Sequence, residues 1–279
     1  MYMNIISTED LAQHLQQPDW VLVDCRFALE DTEKGRREYR EAHIPRAIYA
    51  HLDEDLSAPV IPHQTGRHPL PDIEVLTRTF SGWGIEAGVQ VVVYDDAVGA
   101  IAARLWWMLR WLGHQQVAVL NGGWHHWRQE ARPTTDHIQN PVARPFEAKP
   151  DPALLTDAEH VLNVLEDPAY RLLDARAADR YRGENETIDP VAGHIPHARS
   201  APFIENVENG LLLSPKELRS RFQALLGKVE PGKTICYCGS GVTSCHNLLA
   251  LVHAGLGDGI LYAGSWSDWI TVPDRPLAR

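Results

Sequence analysis

The chain repeats itself once, and this constrains its fold more than any other feature. Five short stretches recur in the same order. VLVDCRF from Val21 matches RLLDARA from Arg171, and AHIPRA from Ala42 matches GHIPHA from Gly193. VVVYDDAVGA from Val91 matches TICYCGSGVT from Thr234, and NGGWHHW from Asn121 matches AGSWSDW from Ala263. Each series then ends in Arg-Pro, at Arg132-Pro133 and Arg275-Pro276. The offset stays between 142 residues (121 to 263) and 151 residues (42 to 193). One such match is within reach of chance, whereas five in order mark a duplicated domain. The 279 residues give each copy enough chain for its own core.

Within each copy, apolar runs alternate with helical patterns. Val21–Asp24, Val91–Tyr94 and Val117–Leu120 read as strands in the first copy, and Thr234–Tyr237 in the second. AIAARLWWMLRWLG, ending at Gly113, reads as an amphipathic helix closed by that glycine. Strand–helix–strand order implies an α/β fold of two tandem domains, each a mainly parallel sheet with helices on both faces. Ligands in such sheets sit at the carboxyl ends of the strands. TTDHIQNPVARPFEAKPDP, from Thr134 to Pro152, carries four prolines and little periodicity. It divides the chain into a first domain over 1–135, a linker over 136–152 and a second domain over 153–279. A surface loop within one large domain is the alternative reading of the same stretch.

Bulk properties narrow the function. Hydrophobic residues make up 44% and charged ones 23%, as in globular chains, and the net charge of -11 disfavours binding to nucleic acid or to an acidic membrane surface. No apolar run approaches the roughly 20 residues that span a bilayer. MYMNIISTEDLAQHL lacks the basic start and apolar stretch of a secretory signal, and Ser7 or Thr8 reads instead as the N-cap of a helix. A cytoplasmic protein is expected. The four cysteines, Cys25, Cys236, Cys238 and Cys245, are too few and too clustered for a disulfide framework. Nothing in the sequence asks for a cofactor or a resident metal.

The chemistry concentrates in YCGSGVTSC, Tyr237 to Cys245. Cys238 follows a buried strand and precedes a helix, where the first backbone N–H groups have no internal partner. Such a turn suits an anion, and a thiolate is one. The residues that follow are small and uncharged, so the amides from Gly239 through Ser244 are free of obstruction and can converge on the sulfur. In the first copy Asp95 occupies the same place. Cys236, Cys238, Cys245 and His246 also spell C-x-C-x6-C-H, but they straddle a strand and a helix rather than forming the knuckle of a zinc site. Cys236 as a resolving thiol for Cys238 requires strained geometry within one strand.

Both Asp-x-Arg strand ends, both His-Ile-Pro turns, CGSGVT at Cys238–Thr243 and the GSWSDW segment resemble the tandem-domain rhodaneses, the thiosulfate and 3-mercaptopyruvate sulfurtransferases. The resemblance covers nearly the whole chain. It implies two rhodanese-like domains, the first non-catalytic because Asp95 replaces the nucleophile. It also implies that Cys238 takes sulfane sulfur from a small-molecule donor, holds it as a persulfide and passes it to a thiol, a thioredoxin-like protein or cyanide. Ser240, His68 and Asp53 carry over as a chain that protonates the leaving product, the role of a general acid. Arg180 and Arg182 carry over as guanidinium partners for the donor's anionic end, and Gly239, Gly241, Val242 and Thr243 as the loop around it. The uncharged loop is similar to that of mercaptopyruvate-type members, although ETIDPVAGHIP lacks the arginine those members carry before the turn. Features found in both copies, namely Arg26 with Arg176, His43 with His194, and the four tryptophans Trp124, Trp127, Trp266 and Trp269, read as scaffold.

Two other functions compete. Cysteine phosphatases of related fold use C-x5-R, and the residue six after Cys238 is Ser244, so the phosphate clamp is missing. A non-catalytic binding module would not need the thiol that the second copy keeps.

Overall fold

The computed structural model describes residues 1–279. The chain divides into two compact units, one of residues 1–58, 70–150 and 209–211, the other of 59–69, 151–208 and 212–279. The first unit runs β1 (Asn4–Ile6), α1 (Thr8–His14), β2 (Trp20–Asp24), α2 (Lys34–Glu41), β3 (Ala47–Tyr49), α3 (Ile73–Gly82), β4 (Gln90–Tyr94), α4 (Ala102–Trp111), β5 (Val117–Leu120) and α5 (Gly123–Gln129). Its five strands pair in parallel in the order β1-β5-β4-β2-β3. Ser7 caps α1 by accepting the Asp10 N–H at 3.0 Å.

The second copy contains β6 (Leu155–Thr156), α6 (Ala158–Asn163), β7 (Arg171–Asp174), α7 (Ala178–Tyr181) and β8 (Arg199–Ser200). Two short strands follow, β9 (Val207–Glu208) and β10 (Leu211–Leu212), then α8 (Pro215–Leu226), β11 (Thr234–Tyr237), α9 (Ser244–His253), β12 (Ile260–Tyr262) and α10 (Ser265–Trp269). Its main sheet is parallel in the order β6-β12-β11-β7-β8, the same order as the first. The central strands β4 and β11 are buried at every residue, which explains their unbroken apolar character. Asp95 and Cys238 each follow the central strand of their sheet.

The duplicated residues build the same frame twice. Arg26 donates from Nη2 to Asp24 at 2.6 Å and to the Ala42 carbonyl at 2.8 Å. Arg176 does the same to Asp174 at 2.6 Å and to the Gly193 carbonyl at 2.7 Å. Each guanidinium lies over a tryptophan, 4.4 Å from the Trp124 ring and 4.9 Å from Trp266. These charges are buried, and burial is tolerable because each is paired with an aspartate and hydrogen-bonded to a backbone carbonyl. His43 stacks on Tyr39 and donates from Nδ1 to the Tyr39 carbonyl; His194 repeats this with Tyr181. Both histidines and Arg176 therefore serve the frame, and Trp266 packs over Arg176 instead of lining an open mouth.

One expectation needs correction. The helix α4 is buried along its whole length rather than on one face, because its Leu, Met and Trp residues leave no polar stripe. The proline-rich stretch has no regular element between Thr134 and Asp151, yet it is held: Thr135 bridges to His43, and Arg144 and Lys149 donate their N–H groups to Ser81 and Leu112. No helix is long and apolar enough to cross a membrane.

Candidate active site

The loop from Cys238 to Thr243 joins the end of β11 to the start of α9. Gly241 makes its turn possible. Its φ of 76° is left-handed, and a Cβ there would stand 2.2 Å from the Ala263 carbonyl oxygen. Cys238 is almost fully buried. Burial alone raises the pKa of a thiol, but hydrogen bonds from the Thr243 hydroxyl and from the Ser240 and Ser244 N–H groups outweigh it. The result is a pKa below the ordinary 9.0, so the sulfur ionises more readily than an ordinary thiol. The sequence suggests a cradle of backbone amides alone. In the structure the Thr243 hydroxyl joins the amides.

The nucleophile is also fixed from behind. Its own N–H donates to Ser265 Oγ at 3.0 Å, and that hydroxyl donates to the Tyr262 carbonyl at 2.9 Å. The Cys238 and Gly239 carbonyls accept from Trp266 and Ser267 at 3.0 and 2.9 Å. Ser265 adopts φ 56°, rare for a residue with a side chain. Sequence reasoning missed it. Its counterpart in the repeat is Gly123, at φ 55°, and that pairing was a readable sign that the position is left-handed.

His68 belongs to the second unit, because the segment 59–69 packs there. Its Nδ1 and Ser240 Oγ share a hydrogen bond of 2.7 Å, and both side chains are buried. The expected serine–histidine pair therefore forms within one unit, whereas the sequence suggests a pair spanning two. Asp53 belongs to the first unit, where it is exposed and its N–H donates to His51 Nδ1 at 3.2 Å.

Arg180 and Arg182 part company. Arg180 donates to Glu186 at 2.8 Å and to Asp189 at 3.0 Å, and its guanidinium lies over Gly239. Arg182 is half-exposed and pairs with Glu184 at 2.7 Å. Residues two apart on a helical turn face different ways, so α7 presents one of these arginines inward and the other to solvent. Burial raises the pKa of Asp189 against the pull of Arg67 and Arg180. For Glu186 burial also raises it, but hydrogen bonds from Arg180 and two amides leave it below its ordinary value. Both acids lie in a stretch that reads as loop, and nothing local marked them as partners.

The other thiols are not set up for reaction. Burial pushes Cys236 far up, and Cys245 turns its Sγ to the Gly241 carbonyl at 3.4 Å. His246 Nδ1 is engaged by Asn206 at 3.2 Å.

The family signature described as Rhodanese-like domain matches residues 7–130 and 157–271. The chain is 49% identical over 276 residues to a Pseudomonas aeruginosa protein named probable 3-mercaptopyruvate sulfurtransferase, spanning 98% of this chain and 97% of that one. It is 35% identical over 282 residues to a thiosulfate sulfurtransferase of Cricetulus griseus, spanning 96% and 92%. Among solved structures, a 3-mercaptopyruvate sulfotransferase of Escherichia coli superposes with a TM-score of 0.82 at 30% identity, covering 95% of this chain and 100% of that one. A 3-mercaptopyruvate sulfurtransferase from Leishmania major gives 0.83 at 30% identity, covering 95% and 73%.

Proposed function

Since the chain belongs to the tandem-domain rhodanese family and is a sulfurtransferase, we propose that Cys238 is the atom that carries the sulfur, and that 3-mercaptopyruvate is the preferred donor. The observation that carries this reading is the set of donors around Cys238, which lower the pKa of its thiol inside a buried loop. The thiolate attacks the donor's sulfur and forms a sulfur–sulfur bond. The donor's carbon–sulfur bond breaks, and its electron pair leaves as the enolate of pyruvate. The hydrogen of the donor's thiol ends on the methyl carbon of pyruvate, relayed by Ser240 and His68, so Cys238 is left as an anionic persulfide with no net proton taken up. The same donors then hold that second anion. A thiol, a thioredoxin-like protein or cyanide attacks the outer sulfur and returns Cys238 to thiolate.

Residues 153–279 form the catalytic domain in this reading, and 1–135 a non-catalytic one joined through 136–152, because Asp95 has no sulfur to exchange. A monoanionic donor suits the uncharged loop better than dianionic thiosulfate, although relatives with either name exist. Mass spectrometry after exposure to 3-mercaptopyruvate tests the assignment. The peptide containing Cys238 should gain the mass of one sulfur, and Cys238→Ser should gain none and lose all transfer. A sulfur found on another cysteine would refute it. A kcat/KM much larger for thiosulfate would reverse the donor preference.

A further inference from the structure

Two guanidinium groups meet beside the nucleophile, and one of them comes from far away in sequence. Arg67 lies on the segment 59–69, and its N–H donates to Ser267 Oγ at 3.0 Å. Gly66 allows this approach, since a Cβ there would stand 2.7 Å from the Gly264 carbonyl oxygen and 2.8 Å from Ser267 Oγ. Asp189 ties the two arginines together: Oδ1 accepts from Arg67 Nη1, and Oδ2 from Arg180 Nη2 at 3.0 Å. Glu186 takes the Nε side of Arg180. The other guanidinium ends are directed over Gly239. Arg67 Nη2 lies 2.7 Å, and Arg180 Nη1 3.7 Å, from where a Cβ on that glycine would be. Arg67 Nε is buried with no hydrogen-bond partner. In a guanidinium, Nε and Nη2 form an edge that matches both oxygens of a carboxylate.

We propose that Arg67 is a donor-binding residue: its Nε–Nη2 edge, together with Arg180 Nη1, receives the carboxylate of a short α-keto acid thiol, and Asp189 holds Arg67 in the orientation to do so. This rests on Cys238 being the sulfur carrier. Arg67 and Arg180 are balanced in charge by Glu186 and Asp189. Recognition therefore comes from directed N–H groups more than from net attraction, which favours a planar monoanion over a dianion.

The test compares alkylation of Cys238 by iodoacetate, which carries a carboxylate, with alkylation by neutral iodoacetamide, alongside steady-state kinetics on the full chain. Arg67→Met should raise KM for 3-mercaptopyruvate about tenfold, the loss of one good charged contact, and leave kcat within about threefold. It should also lower the iodoacetate-to-iodoacetamide rate ratio by a similar factor. Arg67→Lys keeps the charge without the fork and should fall between. An unchanged KM with an unchanged ratio overturns the proposal, and so does equal slowing by both reagents, which would mean a disturbed loop. The ratio needs no turnover. A chain that never gained sulfur at Cys238 would thus refute the earlier assignment while this one could still be read.

Discussion

The two copies of the loop after the central strand solve one problem with different groups. In the first, Asp95 accepts four backbone N–H groups, from Ala97, Gly99, Ile101 and Ala102, at 2.8 to 2.9 Å. In the second, the Thr243 hydroxyl joins the Ser240 and Ser244 amides at Cys238. The residue aligned with Thr243 is Ala100, so the first copy has the amides without that hydroxyl. The balance differs accordingly. Burial lifts the Asp95 carboxyl above its ordinary 3.8 in spite of its amides, whereas the Cys238 thiol ends below its ordinary 9.0 in spite of burial. Amide dipoles alone make a place for an anion. With the Thr243 hydroxyl added, the buried group ionises more readily than its ordinary counterpart.

That comparison can be broken in several ways, the most severe being Gly241→Ala. It places a Cβ against the Ala263 carbonyl in a left-handed conformation, and strain plus overpacking should cost about 3 kcal/mol of stability and most of the transfer activity. Thermal unfolding and turnover would report both. In the first copy the position is Val98, already at φ 54°, so Val98→Gly should instead leave the fold intact or stabilise it by up to about 1 kcal/mol.

A smaller effect sharpens the contrast in the ionised states. The carboxyl of Asp95 has a folded pKa above its unfolded one, so the stability it contributes is fully present below pH 3.8 and is lost as pH rises through the folded value. Asp95→Asn should remove that slope. The difference in unfolding free energy between wild type and variant should then move against wild type as pH rises through this window. A difference moving the other way would mean that four amides do outweigh burial, and the distinction drawn between the copies would fail. Smallest of all, Cys245→Ser should keep more than half of the activity, because a hydroxyl can also donate to the Gly241 carbonyl.

What could be read from the sequence followed from locality. The repeat, the parallel sheets and the strand end at Cys238 all rest on contiguous patterns, and β5 and β11 fall on the residues their apolar runs mark. The paired Asp-x-Arg ends were legible for a similar reason, since each arginine donates to the aspartate two residues before it. Legibility ended where a contact depends on distant chain. Asp189 meets Arg67 from 122 residues away, and Ser265 meets Cys238 from 27. A stretch such as ENETID shows its charges but not which of them will be turned inward. Arg182 shows the converse, a guanidinium of the right type, two residues from Arg180, that the one-turn helix α7 carries to the surface.

The central claim is that the donors around Cys238 lower the pKa of its thiol. The rate of Cys238 alkylation by iodoacetamide, followed against pH, measures this directly. The midpoint should lie below the ordinary thiol value of 9.0 and should rise in Thr243→Val, which removes the hydroxyl donor. A midpoint at or above 9.0 in the wild type, indifferent to Thr243, would contradict it.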